Sequence, residues 1–259
     1  MPYTNTIMYF IVRFILYERM DIASSGTKEY RYIIMDRETL LLNMFSAMQE
    51  TLGNSEWWPA DSSFEVMVGA VLTQNTNWKN VEKAIANLKE ANMLSPETML
   101  ALSQEDLAAL IRPAGYYNIK AKRLQNLLQW FKEASDFSFD DLQHLELEDL
   151  RAQLLSVNGV GQETADSILL YAFNRPSFVV DAYTRRIFNR HGLVEEDMYY
   201  DDLRDFFMDV LPEDTALFNE YHAGIVRIAK EWCVKKEPRC ATCPLCPFLD
   251  NPPCSMETT

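Results

Sequence analysis

The stretch LLSVNGVGQETADSILLYAF runs from Leu154 to Phe173 and joins two apolar helical patterns through a turn that contains two glycines. The turn is Asn158-Gly159-Val160-Gly161, in a chain that has only 8 glycines. After the turn the apolar residues keep helical spacing, at Ala165, Ile168, Leu169 and Ala172. The pattern therefore predicts a hairpin of two helices.

The turn of such a hairpin exposes several backbone N–H groups beside the N-terminus of the second helix. Amide groups in this arrangement bind anions, and nucleic-acid phosphate is a common one. Glycines in a turn also allow two helices to pack closely. From the two glycines alone, a phosphate site and a plain helix–helix turn are equally good interpretations.

Composition sets the class of protein. The chain has 259 residues, of which 48% are hydrophobic, enough for one large domain or two small ones with a core. Few glycines and few alternating β-branched runs predict a mostly helical fold. The formal net charge of −14 argues against a broad basic face that wraps nucleic acid, but it leaves room for a small basic site.

Residues 1–34 do not share the pattern of the rest. The segment TIMYFIVRFIL (6–16) is apolar but shorter than the ~20 residues of a membrane-spanning helix, and Arg13 interrupts it. No Lys or Arg precedes it, as a signal peptide would require. We therefore expect no membrane contact. Met35 is the preferred start of the protein, and an additional packed segment is the alternative.

All five cysteines lie near the C-terminus, in the pattern Cys233-x6-Cys240-x2-Cys243-x2-Cys246, followed by Cys254. Disulfide scaffolds spread their cysteines along a short secreted chain, whereas one tight cluster in a long chain indicates a metal site in a reducing compartment. Four thiolates can hold zinc or an iron–sulfur cluster.

Further motifs surround the hairpin in a fixed order. GAVLTQNTNWKNVEKA (69–84) and AGYYNIKAKRL (114–124) precede it, and VVDAYTRRIFNRHG (179–192) and the cysteines follow it. In this order the set resembles the helix-hairpin-helix DNA glycosylases of the endonuclease III superfamily. The resemblance covers about Asp61 to Cys246.

The resemblance implies an all-α fold of two helical lobes, with double-stranded DNA in the cleft between them and a C-terminal metal loop bound by cysteines. One lobe is a helical barrel, residues 61–175, that carries the hairpin. The other joins residues 35–60 to residues 176–259, which include the cysteine cluster. Residues 1–34 remain an N-terminal extension of uncertain role.

One position departs from endonuclease III itself. There the second residue after the last glycine of the hairpin is a lysine, whose amine attacks the sugar C1′ and forms a Schiff base that leads to strand cleavage. Here that position holds Glu163, and a carboxylate cannot form an imine. The resemblance therefore implies a monofunctional glycosylase. Lys120 or Lys122 could substitute, but nothing in the sequence places either of them there.

The resemblance assigns the chemistry to Asp181, at the end of the connector SFVVD (177–181). Breaking a glycosidic bond develops positive charge on the sugar. A carboxylate about 4 Å away stabilises that charge by roughly 4 kcal/mol at an effective dielectric of about 20, and it can also orient or deprotonate the water. Without the resemblance, Asp181 is better explained as the N-cap of the next helix.

The expected base follows from what is missing. The adenine-mismatch branch of the family has a glutamate one helical turn before the glutamine that wedges into the duplex. That glutamine resembles Gln74 here, and Ala70 stands four residues earlier. N-alkylated purines are already cationic and leave without protonation. We therefore expect Gln74 as the DNA wedge and an alkylated purine such as 3-methyladenine as the damaged base.

The aromatic residues carry a closer resemblance, to the 3-methyladenine DNA glycosylases of the endonuclease III-like type. It implies a base pocket formed by Trp57, Trp58, Pro59 and Trp78. A cationic base stacks on tryptophan with a cation–π attraction of about 0.5–2 kcal/mol. Core filling is the competing interpretation of the paired tryptophans.

In the family, four cysteines spaced by six, two and five residues hold a [4Fe–4S] cluster. The first three cysteines match, but the fourth position falls on Leu249. We expect Cys246 as the fourth ligand, with Cys254 as the alternative, and zinc as the less favoured metal. The cluster would hold the basic loop VKKEPR (234–239) against DNA phosphate. Some 3-methyladenine enzymes of this type lack the cluster.

Three functions are compatible with these residues. The first is a monofunctional glycosylase for alkylated purines, acting as a monomer on double-stranded DNA in a prokaryotic cytoplasm, at the nucleoid. The second is a glycosylase and abasic-site lyase for oxidised pyrimidines. The third is a non-catalytic protein that only recognises damaged DNA.

Overall fold

The computed structural model of the protein describes residues 14–18, 31–55, 58 and 60–250, and only the backbone of residues 14–18 and 31–35. Within this part of the chain the fold is α-helical with one exception. Strands β1 (Phe14–Glu18) and β2 (Arg31–Met35) pair as an antiparallel ribbon, with Phe14 opposite Met35. The sequence predicts no strand here. Both segments are rich in β-branched and aromatic residues, which favour strands in runs too short for a buried helix.

Twelve α helices follow in the described residues. They are α1 (Arg37–Leu52), α2 (Ser63–Leu72), α3 (Trp78–Glu90), α4 (Pro96–Ala101), α5 (Gln104–Leu110), α6 (Tyr117–Ser135), α7 (Phe139–Leu142), α8 (Leu147–Ser156), α9 (Gln162–Ser167), α10 (Ala182–Arg190), α11 (Tyr200–Met208) and α12 (Thr215–Glu231). A π-helical turn, Ile168–Ala172, continues α9, and single 3₁₀ turns form at Arg112–Ala114, Cys240–Thr242 and Cys246–Phe248.

Side-chain caps account for where most of these helices begin. The side chain at the N-cap accepts a backbone N–H of the first turn in eight of them. These residues are Asp36, Ser62, Asn77, Ser95, Ser103, Ser138, Asp181 and Asp214. Short polar side chains at this position satisfy N–H groups that no helical carbonyl can reach. The starts of these helices are therefore determined by residues close to them in the sequence.

The first hydrophobic core lies between α2 and the π-helical turn. Helix α2 is buried from Phe64 to Leu72, so it forms the centre of this core. Helices α3, α5, α6 and α8 place one apolar face each against it, through residues such as Leu88, Leu128 and Leu154. The hairpin and Glu163 sit at the edge of this core.

The second core joins α1 to the C-terminal helices. Phe178 of the connector stacks on Phe207 of α11, with ring centroids 4.0 Å apart. The buried Tyr221 of α12 donates a hydrogen bond to the carbonyl of Leu41 in α1, at 2.9 Å. We keep the division into a barrel lobe, 61–175, and a terminal lobe, 35–60 with 176–259, as a proposal that the two cores support.

A buried ion network ties α8 and α9 to α11. Arg151 binds both oxygens of Asp166, at 2.8 and 3.1 Å, and also reaches Asp201 at 2.7 Å. Asp166 is fully buried and accepts a further bond from Ser177 at 2.6 Å. Arg204 donates to Ser177 at 3.2 Å. The network fixes the hairpin helix relative to the connector that ends in Asp181.

Candidate active site

One of the two glycines in the hairpin turn has a backbone conformation that requires glycine. Gly159 adopts φ +103°, a region that residues with a side chain rarely occupy. A Cβ at Gly159 would lie 2.3 Å from Cγ of Arg123 on α6. Val160 is buried in the first core, and its N–H donates to the Val157 carbonyl at 3.0 Å. The turn therefore requires glycine at 159 for both conformation and space.

The second glycine opens the N-terminus of α9 to solvent. Gly161 is the N-cap, is exposed, and provides no side-chain cap. Asn158 is exposed as well, and its carbonyl accepts a bond from Asn126 at 2.9 Å, which holds the turn against α6. Uncapped N–H groups at a helix N-terminus carry partial positive charge. The turn can thus bind an anion without a basic side chain.

Gln74, the predicted wedge, lies against this turn. Its amide donates to the Gly159 carbonyl at 3.1 Å and to Oγ1 of Thr164 at 2.9 Å. Arg123 donates to its amide oxygen. The side chain is half-buried. To enter a duplex, Gln74 must exchange these bonds for bonds to DNA.

Asp181 serves as the N-cap of α10 and faces the cleft at the same time. Its Oδ1 accepts from the N–H of Tyr183 at 2.9 Å and from the N–H and hydroxyl of Thr184 at 2.8 and 3.0 Å. Its Oδ2 faces Nε2 of His222, at 3.6 Å. The cap interpretation is therefore correct, and the cap fixes one oxygen while the other faces His222.

His222 and Tyr171 complete the surroundings of Asp181, and the sequence analysis identified neither. His222 Nδ1 and the Tyr171 hydroxyl are 2.5 Å apart. Burial raises the pKa of the Asp181 carboxyl, but the close approach and charge of His222 and the N–H of Thr184 outweigh it, so the pKa lies below its ordinary value. Asp181 is therefore ionised at neutral pH. No local pattern marks residues that meet from separate helices.

Glu163 shares a cleft of about 520 Å³ with Asp181. The side chain remains open to solvent on one side. Burial by the protein on the other side, and then the negative charge of Asp181, raise the pKa of Glu163 to about 7, against a smaller lowering by His222. The site therefore combines a carboxylate that stays ionised with a second carboxyl that titrates near neutrality.

An aromatic wall, formed by Trp58, Trp78 and Tyr171, packs against the first core, as the core-filling interpretation expects, and none of the three lines the cleft of Glu163 and Asp181. Trp58 stacks on Tyr171, with centroids 4.9 Å apart and 23° between the rings, and meets Trp78 edge-on at 5.3 Å. Trp58 also packs so closely on α2 that a Cβ at Gly69 would lie 3.4 Å from its ring. The predicted pocket residues Trp57 and Pro59 lie outside the described residues.

Lys120, one possible substitute for the missing lysine, forms its hydrogen bonds elsewhere. It is buried, and its Nζ donates to the carbonyls of Leu72 and Ala114, at 2.8 and 2.7 Å. Burial and then the charge of Arg123 lower the pKa of Lys120 to about 8. Lys122 is exposed on α6. The cleft beside Asp181 is instead lined by Lys235 of the cysteine loop.

The cysteines surround a separate cavity of about 300 Å³. Its lining includes Cys233, Cys240, Cys243 and Cys246, together with Arg190 and His191. Cys254 lies outside the described residues, and Cys246 is disulfide-bonded. Four sulfurs around one cavity fit a cluster, whose thiolates bind different iron atoms and therefore stand apart. In the described part of the chain, no three His, Cys, Asp or Glu side chains converge on a single metal ion.

Helix α10 links this cysteine loop to Asp181. Arg186 donates to the carbonyls of Cys233 and Ala229, at 2.7 and 3.1 Å. Arg190 donates to the Cys233 sulfur at 3.3 Å and to the carbonyls of Val234 and Lys235. The loop is therefore held by the same helix that Asp181 caps.

Among the described helices, none is long and apolar enough to cross a bilayer.

Comparison with known proteins identifies the family. Residues 68–213 match the sequence pattern described as HhH-GPD superfamily base excision DNA repair protein. A protein of Methanocaldococcus jannaschii named as a DNA repair glycosylase is 45% identical over 81% of this chain and 95% of its own length. Endonuclease III of Thermotoga maritima is 31% identical over 73% of this chain and 81% of its own.

Solved structures agree. The Helicobacter pylori 3-methyladenine DNA glycosylase MagIII, bound to 1,N6-ethenoadenine, superposes with a TM-score of 0.64 at 29% identity, over 76% of this chain and 98% of its own. An endonuclease III–DNA complex superposes with a TM-score of 0.69 at 20% identity, over 87% and 100% of the two chains, which shows the shared fold. The chain belongs to the HhH-GPD superfamily of base excision DNA repair proteins and is a DNA glycosylase of the endonuclease III type.

Proposed function

We propose that this protein is a monofunctional glycosylase that hydrolyses the N-glycosidic bond of alkylated purines such as 3-methyladenine. The observation that carries the proposal is the pair Glu163 and Asp181 in one cleft, with a carboxyl at the position where a lyase needs an amine. Asp181 remains ionised, so it can stabilise positive charge on the sugar.

The chemistry suits a leaving group that is already cationic. A carboxylate about 4 Å from the sugar contributes roughly 4 kcal/mol at an effective dielectric of about 20, and the base needs no added proton. Asp181 can also orient the attacking water through Oδ2, because its other oxygen is fully occupied. An unmodified base, which leaves less readily, would remain bound to its sugar.

The aromatic wall favours the same substrate. Trp58 stacks on Tyr171 and meets Trp78 edge-on, and Tyr171 is linked to Asp181 through His222, so we propose that a flipped base lies against these indoles. A cationic ring gains about 0.5–2 kcal/mol from such faces, and flipping costs a few kcal/mol, less at damaged pairs. We include Trp57 and Pro59 in this pocket on the strength of the family resemblance alone.

We propose that double-stranded DNA binds across the hairpin as a substrate of the monomer. The uncapped N-terminus at Gly161 would hold a phosphate, and the loop residues Lys235, Lys236 and Arg239 would contact the backbone beyond the cleft. Gln74 would leave the hairpin and fill the gap left by the flipped base. We propose the nucleoid of a prokaryotic cell as the place where it acts.

We propose a [4Fe–4S] cluster as the resident group of the cysteine cavity. Cys233, Cys240, Cys243 and Cys246 line it, which is the donor set that such a cluster requires. A cluster that uses Cys246 requires its disulfide to be reduced, because only thiolates bind iron. Its role would be structural, holding Lys235 and its neighbours beside the cleft.

The second candidate is a glycosylase and abasic-site lyase, and one observation favours it. Lys235 lines the cleft that holds Asp181 and could supply the amine in place of the hairpin lysine. The thymine/uracil-DNA glycosylase of Pyrobaculum aerophilum is 28% identical over 73% of this chain, so identity alone does not separate the substrates.

The deciding experiment measures base release from methylated duplex DNA, with the freed bases separated by chromatography. We expect 3-methyladenine in solution and an uncut abasic strand. Asp181→Asn should abolish release while binding persists, which separates an enzyme from a damage-binding protein. Borohydride trapping on abasic DNA tests the second candidate: a stable adduct that disappears in Lys235→Met would establish the lyase and overturn the proposal.

A further inference from the structure

We propose that Tyr171 and His222 form a positioning pair that aims Oδ2 of Asp181 at the sugar and links this carboxylate to the base pocket. The inference deepens the proposed glycosylase function and rests on Asp181 as its catalytic residue. The pair stands on contacts among four side chains from separate segments of the chain: Trp58, Tyr171, His222 and Asp181.

Only one oxygen of Asp181 is left for chemistry. Oδ1 accepts three hydrogen bonds from Tyr183 and Thr184, which use its lone pairs and lock the carboxyl plane. Oδ2 has His222 Nε2 at 3.6 Å, a distance that closes to a hydrogen bond with a small rotation. The orientation of Oδ2 is therefore set by the cap on one side and by His222 on the other.

The bond between Tyr171 and His222 selects the form of the imidazole. When the phenol donates to Nδ1, the ring proton must stay on Nε2 and face the carboxylate. In the imidazolium, both nitrogens carry protons and Nε2–H again faces Oδ2. The remaining neutral form would set the lone pair of Nε2 against a carboxylate. The contacts therefore favour a donor at Nε2, as the partner of a ring nitrogen usually decides its tautomer.

The pair also connects the two cores. Tyr171 belongs to the π-helical turn that ends the hairpin helix, a distortion that recurs at functional sites. His222 is buried on α12, beside residues that pack on α1. Tyr171 stacks on Trp58, with ring centroids 4.9 Å apart. A base seated against Trp58 therefore stabilises Tyr171, which holds His222, which holds Asp181.

Variants separate positioning from folding. Tyr171→Phe keeps the ring on Trp58 and removes the hydroxyl, His222→Leu removes the donor, and His222→Gln restores an N–H near the Nε2 position. Tyr221→Phe is the matched control, because it removes a buried phenol bond on the same helix outside the site. Single-turnover base release, DNA binding and Tm are measured for each.

We expect His222→Leu to slow base release by about 10- to 100-fold with unchanged DNA binding, and Tyr171→Phe to slow it less. His222→Gln should recover much of the rate. Tyr221→Phe should lower Tm and leave the rate near that of the wild type. A rate for His222→Leu within about twofold of wild type, or an equal slowing by Tyr221→Phe, would overturn the inference.

A measurement without catalysis completes the test. The chain has 3 histidines, His144, His191 and His222, so the imidazole nitrogen signals of His222 can be assigned in NMR spectra by comparison with His222→Leu. We expect Nε2 to carry a proton, and a bare Nε2 would sink the inference. If the wild type releases another damaged base instead of alkylated purines, the substrate proposal fails, and the same variants test the pair on that base.

Discussion

Glu163 and Asp181 line one cleft, and the charge of Asp181 makes Glu163 harder to ionise. Asp181 is compensated by His222 and by the N–H groups of α10, whereas for Glu163 the lowering of the pKa by His222 is smaller than the effects of burial and of Asp181. Of the two carboxyl groups, Glu163 is therefore the one that takes up a proton as the pH falls. At this scale the site works as one permanent charge beside one adjustable charge.

The raised pKa of Glu163 predicts a pH-dependent stability. Between its ordinary value of 4.5 and about 7, the folded protein holds a proton that the unfolded chain has lost, so stability falls as the pH rises through this window. Glu163→Gln keeps the size and removes the titration. We expect its Tm, relative to the wild type, to be higher at about pH 8 than at about pH 5. The exposed Glu105→Gln on α5 is the control, and an equal pH response in both variants would refute the assignment.

Replacing Glu163 by lysine should restore the amine that the family uses for strand cleavage. The side chain already faces Asp181 across one cleft, so an amine there is within reach of a flipped abasic sugar. We expect Glu163→Lys to give a covalent adduct with abasic DNA on borohydride treatment and a nicked strand without it. Glu163→Gln, with no amine, should give neither. The absence of an adduct from Glu163→Lys would show that position 163 is not the lysine position.

At the scale of elements, the hairpin turn contains two glycines with different duties. Gly159 adopts φ +103° with Arg123 in the space of a side chain, whereas Gly161 adopts φ −95° and a Cβ there would meet nothing within 4 Å. Gly159→Ala should therefore destabilise the protein by about 1–3 kcal/mol and weaken DNA binding. Gly161→Ala should change stability by less than about 1 kcal/mol. Urea denaturation of both variants measures the difference, and equal losses would contradict this account.

The features that could be predicted from the sequence are local, and those that could not depend on long-range contacts. The glycine turn and the helix start at Asp181 depend on a few neighbouring residues, so the sequence alone predicts them. The π-helical turn that presents Tyr171 and the approach of His222 depend on how the two cores meet. The sequence predicts Gln74 as a DNA wedge but not its bonds to Thr164 and Arg123 in the free protein. These bonds could not be predicted because both partners are distant from Gln74 in sequence.

At the scale of the molecule, the buried network around Asp166 joins the hairpin helix to the terminal helices. Asp166 has no exposed surface and binds Arg151 and Ser177, so removing its charge leaves Arg151 partly unpaired in the interior. We expect Asp166→Asn to lower the free energy of unfolding by about 3–5 kcal/mol. Asp209→Asn breaks the exposed pair with Arg37 and should cost less than about 1 kcal/mol. Comparable losses in the two variants would show that the network does not stabilise the fold.

The cysteine cavity gives the last prediction, since four sulfurs and the bonds of Arg186 and Arg190 place it at the end of the helix that Asp181 caps. After anaerobic reduction and reconstitution, we expect about four iron atoms per chain and the broad visible absorbance of a [4Fe–4S] cluster. Cys246→Ser should lose most of the iron, because its sulfur lines the cavity, and Cys254→Ser should retain it. The reverse result would make Cys254 the fourth ligand, and stoichiometric zinc without iron would show a zinc site instead of the cluster.

Iron removal should weaken DNA binding more than it slows base release from bound DNA, because Lys235 is held by the loop while Asp181 is held by its own cap.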